Sequence, residues 1–379
     1  MKRVIIIAGC LFYMHFSYGS SLYFYEIGTE DTALAGAGQA ARGQDASTIV
    51  TNPAGMTLLP DHMVTGGLQA LGGDVNYELS HSKYRSPGNV MNVMPNGSFF
   101  YTQKVTDKAF AGIGVYGNYG LGIDFGDWAG SRLIKSSTMG AATLSPSFAY
   151  ALNERLSIGG SANINYGFLS LTREVNGTDE KEKDHDWALS FRTGLLFLLT
   201  EQTRFGVTWT SKSDYDFHVN TQAKFANFPD VTYELPVSAQ VSAPQQVMLS
   251  MVHDINRRWS IMADLGWQDW SEFGAPQVIV NDKVIDQSNR MKDTWHSALG
   301  LQYRPTVDWR FNTGIAFDST PYRDQNDVSL TLPTGDEWRF GAGAQYQMTP
   351  ASNIGFAAEY LKMQSSYAQS PRLLQGSYE

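Results

Sequence analysis

Gly112-Ile113-Gly114-Val115-Tyr116-Gly117 matches the Gly-x-Gly-x-x-Gly spacing that cradles a pyrophosphate when a helix N-terminus follows it. Here the motif lies inside an alternating strand pattern that runs into a long loop, so dinucleotide binding is excluded. His62, His81, His185, His218, His253 and His296 show no metal-ligand spacing. No serine sits in a Gly-x-Ser-x-Gly elbow. No catalytic residue, metal ligand or cofactor is expected, and the chain does not read as an enzyme. The side chains with regular spacing are aromatic. Trp259/Trp267, Trp295/Tyr303, Trp309/Phe317 and Trp338/Tyr346 each place a large ring eight residues after a Trp. Eight strand residues advance roughly 26 Å. Tilted by about 40°, they cover about 20 Å of height, close to the roughly 25 Å apolar band of an outer-membrane barrel. Trp and Tyr favour the two membrane–water interfaces, where ring body and polar edge are both satisfied. The chemistry offered by this spacing is partition into a bilayer.

The elements that carry these rings alternate with period two, the signature of strands. Trp309, Phe311, Thr313, Ile315 and Phe317 oppose Arg310, Asn312, Gly314, Ala316 and Asp318. Trp338, Phe340, Ala342, Ala344 and Tyr346 oppose Arg339, Gly341, Gly343, Gln345 and Gln347. One face is large and apolar, the other small, polar or charged. A soluble sandwich also alternates, but the recurrent terminal aromatics favour lipid outside and a polar lumen inside. Thirteen strands are expected, within 62–80, 97–104, 109–119, 138–151, 156–175, 186–199, 203–219, 244–254, 258–270, 293–304, 309–318, 336–347 and 353–365. Connections alternate between a few residues and long stretches at 120–137, 176–185, 220–243, 271–292 and 319–335, as periplasmic turns and extracellular loops do. Single-chain bacterial barrels have an even count, so either thirteen is a miscount or the chain stops one strand early. Residues 370–379 show no strand pattern.

Composition agrees. Mean hydropathy is -0.26 with 42% hydrophobic residues, which a barrel tolerates because only alternate strand residues meet lipid. Past residue 20 no apolar run reaches the 18 or so residues a spanning helix needs. Residues 4–16, preceded by Lys2 and Arg3, read as a secretory signal ending near Gly19. Cys10, the sole cysteine, lies inside it, so no disulfide framework follows. Ile7-Ala8-Gly9-Cys10 resembles a lipoprotein box, but cutting there leaves too short an apolar segment. Losing Lys2 and Arg3 takes the formal net charge from -9 to -11, against a nucleic-acid partner.

Residues 20–60 do not alternate. They hold Ala33-Leu34-Ala35-Gly36-Ala37-Gly38-Gln39-Ala40-Ala41, Asp45-Ala46-Ser47-Thr48 and Asn52-Pro53-Ala54-Gly55-Met56. This small-residue segment with an Asn-Pro turn suits a compact plug in a lumen. With Asp127-Trp128-Ala129-Gly130, Ser145-Pro146-Ser147-Phe148-Ala149-Tyr150, the 265–273 stretch and the 310–318 strand, it resembles the FadL-type long-chain fatty acid transporters along nearly the whole chain. The resemblance implies an all-β fold: a transmembrane antiparallel β-barrel of the 14-stranded type with an N-terminal hatch inside the lumen. Signal, hatch and barrel would occupy residues 1–19, 20–60 and 61–379, the last expected to be C-terminally incomplete. The implied setting is a Gram-negative outer membrane, with outer-membrane lipid around a monomer.

The implied cargo is a long-chain fatty acid or other hydrophobic ligand. Aromatic hydrocarbon uptake by the same family, or a general aqueous porin, remain alternatives. By resemblance, Leu22, Phe24, Ile27 and Arg173 would form an inner pocket. Leu121, Ile123, Phe125, Trp128, Leu133 and Ile134 would line an outer groove. A solvated Arg173 and a self-packed loop are the plainer readings. Asn52, Pro53 and Ala54 carry the hatch motif. Gly117 and Gly120 would kink the third strand, residues 109–120, for sideways exit, since strand glycines often mark bulges; ordinary barrel glycines are the alternative.

Overall fold

Alternation builds strands here, and thirteen of them pair into one antiparallel sheet. The computed structural model describes residues 23–80, 85–225, 228–271, 278–280, 283–285, 291–369 and 374–379. The expected signal 1–19, Leu22 and part of the 265–273 stretch lie outside the described residues. The sheet comprises β1 (His62–Leu71), β2 (Met94–Lys104), β3 (Ala109–Asp124), β4 (Ser136–Ala151), β5 (Leu156–Val175), β6 (Thr178–Leu198) and β7 (Thr203–Thr210), followed by β8 (Gln246–Asp254), β9 (Trp259–Gln268), β10 (Thr294–Tyr303), β11 (Trp309–Asp318), β12 (Glu337–Thr349) and β13 (Ser352–Met363). Each pairs with its neighbours in order, leaving β1 and β13 as the two edges.

One face of this sheet is exposed and apolar. Leu68 is 96% exposed, Leu299 63% and Trp187 62%, values a water-facing surface rarely combines in one continuous band. The spaced aromatics lie on this face in two rows. Trp259 stacks on Tyr303 at 4.2 Å and Trp309 meets Tyr346 at 4.8 Å. Toward the other end, Trp267 pairs across the ladder with Trp295, and Phe317 lies 5.1 Å from Trp338.

The other face is covered by residues 23–59, which hold two short helices, α1 (Thr29–Ala33) and α2 (Thr48–Thr51), and a 3-10 turn at Pro53–Leu58. Sheet side chains satisfy this segment's backbone. Asp264 accepts the N–H groups of Gly38 (2.8 Å) and Gln39 (3.2 Å), Ser250 accepts that of Ala40 (2.8 Å), and Arg204 donates to the Ala41 carbonyl (2.7 Å). Where the backbone touches the sheet, a Cβ has no room: one added at Gly314 would run into the Leu34 backbone.

Four sequence expectations change. Residues 176–185 are not a loop. β5 and β6 run on past the apolar zone, pairing Arg173 with Glu180, and turn at Asn176-Gly177. Both turn residues have positive φ (54° and 80°), the two-residue hairpin geometry that Asn-Gly favours. Charged strand residues are stable there because both faces can reach water. Residues 220–243 belong largely to a second hairpin, Ser213–Phe225 with Phe228–Ala243. The strand expected over 62–80 ends at Leu71, and Asn76–Leu79 joins a separate small sheet. The tail also contributes to that sheet, through Gly376–Tyr378 paired between Asn76–Leu79 and Ser366–Ala368.

Gly314→Val should cost about 1–3 kcal/mol by overpacking, read as a lower thermal midpoint of heat-modifiable gel mobility. Gly66→Val, on the open face with only Ser98 O at 3.7 Å, should leave the midpoint in place. Equal midpoints for both variants would contradict the close approach.

Candidate ligand cavity

β3 carries the irregularity on which the site is built. Its pairing with β4 runs in simple register to Gly117↔Ala142, then skips to Tyr119↔Ala141, leaving Asn118 as a one-residue β-bulge. Gly117 and Gly120 flank the bulge, and a Cβ on Gly120 would lie 3.0 Å from the Phe24 ring. The Asn118 carbonyl accepts the Phe24 N–H at 2.9 Å, and Tyr23 bridges to Tyr119. On the other side of β3, pairing with β2 stops at Ser98↔Tyr116. Beyond it the Asn96 side chain donates to the Gly117 carbonyl at 3.0 Å. Backbone contact resumes at Asn92 N–H to Gly122 O, 3.5 Å. The ladder is therefore interrupted beside the bulge. A cavity of about 610 Å³ adjoins this interruption, lined by Phe24, Ile27, Met94, Tyr116, Tyr119 and Phe168 among others, and extends to Leu68 and Phe356 on the sheet edges. Small-molecule sites commonly have roughly 300–1,000 Å³.

Two buried arginines near residues 23–27 have opposite surroundings. Arg339 ion-pairs with four carboxylates: Glu26, Asp318 (2.8 Å), Glu337 (3.1 Å) and Glu359 (3.6 Å). Tyr25 packs its ring against the same guanidinium, 5.1 Å from centroid to Cζ, and stacks on His296 at 4.4 Å. Arg192, on β6 and 2% exposed, donates from Nε to Thr210 Oγ1 at 2.8 Å. Its Nη1 has no hydrogen-bond partner. Among the described residues no carboxylate lies within ion-pair range of it. Arg192 lines a void of about 20 Å³ together with Tyr23, Phe24, Tyr25 and Ile27.

The structure separates the expected pocket set. Phe24 and Ile27 line both the large cavity and the void at Arg192. Arg173 does not join them: it lies near the tip of the β5–β6 hairpin, 3.9 Å from Glu180, and lines neither cavity. The outer set packs on itself. Leu121, Ile123, Phe125, Trp128 and Ile134 are buried in one apolar cluster, and only Leu133 is exposed. Phe125 and Trp128 stack at 4.7 Å, Tyr77 meets both rings edge-on, and Trp128 Nε1 donates to Ile134 O at 2.8 Å. Asn52 caps the 3-10 turn by accepting the Ala54 N–H (3.0 Å), while its amide donates to Ala40 O (2.6 Å) and Leu195 O (2.9 Å). Pro53 and Ala54 are buried beneath it.

A profile described as "Outer membrane protein transport protein (OMPP1/FadL/TodX)" matches residues 15–378. The chain belongs to this family. Its members are outer-membrane transport proteins rather than enzymes. Similar curated proteins include the long-chain fatty acid transport protein of Escherichia coli K12, 23% identical over 405 residues, covering 93% of this chain and 89% of the relative. That of Salmonella typhi is 25% identical over 394 residues, covering 93% and 89%. Among solved structures, a Pseudomonas aeruginosa FadL homologue superposes with TM-score 0.81 at 17% identity, covering 95% of this chain and 96% of the other. The Pseudomonas putida toluene transporter TodX gives 0.68 at 17% identity, covering 96% of each. The fold is the β-barrel type of this family.

Lys135 ties the outer loop to the β5–β6 hairpin, reaching Asp127 at 2.6 Å and Asp179 at 2.7 Å. Its hydrogen bond holds the Asp127 carboxyl below the usual carboxylate range. A depressed folded pKa contributes stability above the ordinary value and loses it as pH falls through the lowered one. Lys135→Ala should therefore speed hydrogen exchange over residues 125–135 at pH 7, while the parent chain loosens only on strong acidification. Unchanged exchange in the variant would remove the tie.

Proposed function

We propose that the chain takes up long-chain fatty acids passively, with residues 20–60 as a hatch inside the barrel and the exposed apolar band against membrane lipid. Cargo enters where the Phe125–Trp128 cluster parts and lodges its tail in the 610 Å³ cavity. Its carboxylate reaches Arg192 once residues 23–27 shift, merging the void with the cavity. It then leaves sideways through the interrupted β2–β3 ladder. The observation that carries this reading is Arg192, a buried guanidinium with an unpartnered Nη1 beside the cavity-lining residues Tyr23 and Phe24. A carboxylate bond to arginine gains strength where water is excluded. The curated relatives named as long-chain fatty acid transport proteins support the cargo class.

The test is labelled-oleate binding and proteoliposome uptake. Arg192→Gln should weaken oleate by about tenfold or more, the worth of a charge-assisted hydrogen bond. Deleting Asn118 should weaken oleate binding as well as uptake, because it turns Tyr119 out of the cavity wall and removes the carbonyl that holds Phe24. A protein that ignores oleate but takes up toluene would move the cargo to aromatic hydrocarbons. Rapid sugar permeation would replace the hatch reading with an aqueous porin.

A further inference from the structure

The charged run at the tip of the β5–β6 hairpin is sorted by strand parity. In β6, Asp179, Lys181, Lys183 and His185 share an exposed face with Trp187 and Leu189. Glu180, Glu182, Asp184 and Asp186 take the opposite, half-buried face. The acids there have partners. Asp184 accepts the His218 N–H at 2.5 Å, Asp186 accepts that of Asp216 at 2.8 Å, and Glu180 lies 3.9 Å from Arg173. Asp179 is held by Lys135 at 2.7 Å. Among the described residues neither Lys181 nor Lys183 forms an ion pair. Both lysines end rows that cross three strands, and directly opposite residues share a face. Thr138, Ser170 and Lys183 pair in register, as do Ser136, Thr172 and Lys181. Each row reads hydroxyl, hydroxyl, ammonium. Next below, Phe168 pairs with His185 and Tyr166 with Trp187, the last two rings 5.0 Å apart. Both strands therefore change from apolar to polar at one level, where the aromatic row marks a membrane–water interface.

We propose that this face docks the phosphorylated sugar headgroup of an outer-leaflet glycolipid, its acyl chains running down past Trp187 and Leu189. Height decides between headgroups. At about 3.3 Å per residue and a tilt of about 40°, Lys183 and Lys181 lie roughly 10 and 15 Å above Trp187. A phospholipid headgroup layer is only about 5–7 Å deep. A sugar headgroup stands taller, offering phosphates to both ammonium groups and hydroxyls to the Ser and Thr side chains beside them. Lysine stems bend toward the interface while their charges stay with the phosphates. Parity serves the same end: the headgroup meets cations, while the acids are turned to the other face and tied to the second hairpin. The proposal rests on the apolar band facing lipid and is independent of the cargo.

Titrating the full chain in maltoside with diphosphorylated lipid A, the same lipid dephosphorylated, phosphatidylglycerol and inorganic phosphate separates phosphate, sugar and tail. The diphosphorylated glycolipid should bind about tenfold or more tightly than its dephosphorylated form, as two lysines at an anionic lipid surface provide. In the double variant Lys181→Gln/Lys183→Gln that ratio should fall to about one. Lys108→Gln, at the β2–β3 turn on the far end of the strands, should leave it in place. Thermal midpoints report that each variant folds. A ratio of one in the parent chain, or a preference that survives the double substitution, overturns the proposal. So does phosphatidylglycerol that binds as tightly as the diphosphorylated glycolipid, or inorganic phosphate that does. Equal binding of both glycolipids keeps the lipid-facing band and removes only the headgroup site, whereas failure of every lipid to bind removes both.

Discussion

Residues 23–59 occupy space against the sheet where water would otherwise solvate it, so every backbone polar group they bring needs a partner on a strand or within the segment. A buried donor or acceptor left unpaired costs about 1–3 kcal/mol. Asp264, Ser250, Arg204 and Asn52 meet that demand with bonds of 2.6 to 3.2 Å. The composition of the covered face follows: it is polar where segment backbone ends, and glycine where the segment touches. The other face is free to be uniformly apolar because no polar group of the segment reaches it.

The same demand divides the segment by function. Residues 38–54 are held by backbone bonds to several strands. Residues 23–31 depend more on side-chain charge, with Glu26 on Arg339, Glu30 on Arg310 and Asp31 on Arg42. Phe24 adds one backbone bond, to the bulge carbonyl. The stretch next to the cavity is thus the part of the segment tied mainly by charge.

Strand alternation and the paired rings at Trp259/Tyr303 and Trp309/Tyr346 were legible in the residues, because lipid imposes one simple rule on every strand. Departures from that rule were harder to read. The Asn176-Gly177 turn is a strong hairpin signal, but the charged run after it resembles a solvated loop. Arg173 belongs to the expected pocket by family resemblance alone, and at the hairpin tip its cross-strand neighbour is the acidic Glu180. Arg192 sits among Ser190, Gly194 and Leu196 on the small-residue side of an otherwise apolar strand. A lone cation at that parity is a usable sign. That no carboxylate faces it depends on strands distant in sequence and could not be read locally.

The extra residue at Asn118 also has a bookkeeping effect on β3. Before it, Ile113 and Val115 lie on the exposed apolar face; β4 continues without a skip, so beyond Asn118 the odd-numbered residues change sides. Tyr119, Leu121 and Ile123 would otherwise be membrane anchors. One inserted amino acid reassigns all three to the interior, converting bilayer-facing bulk into a greasy lining without altering a single side chain.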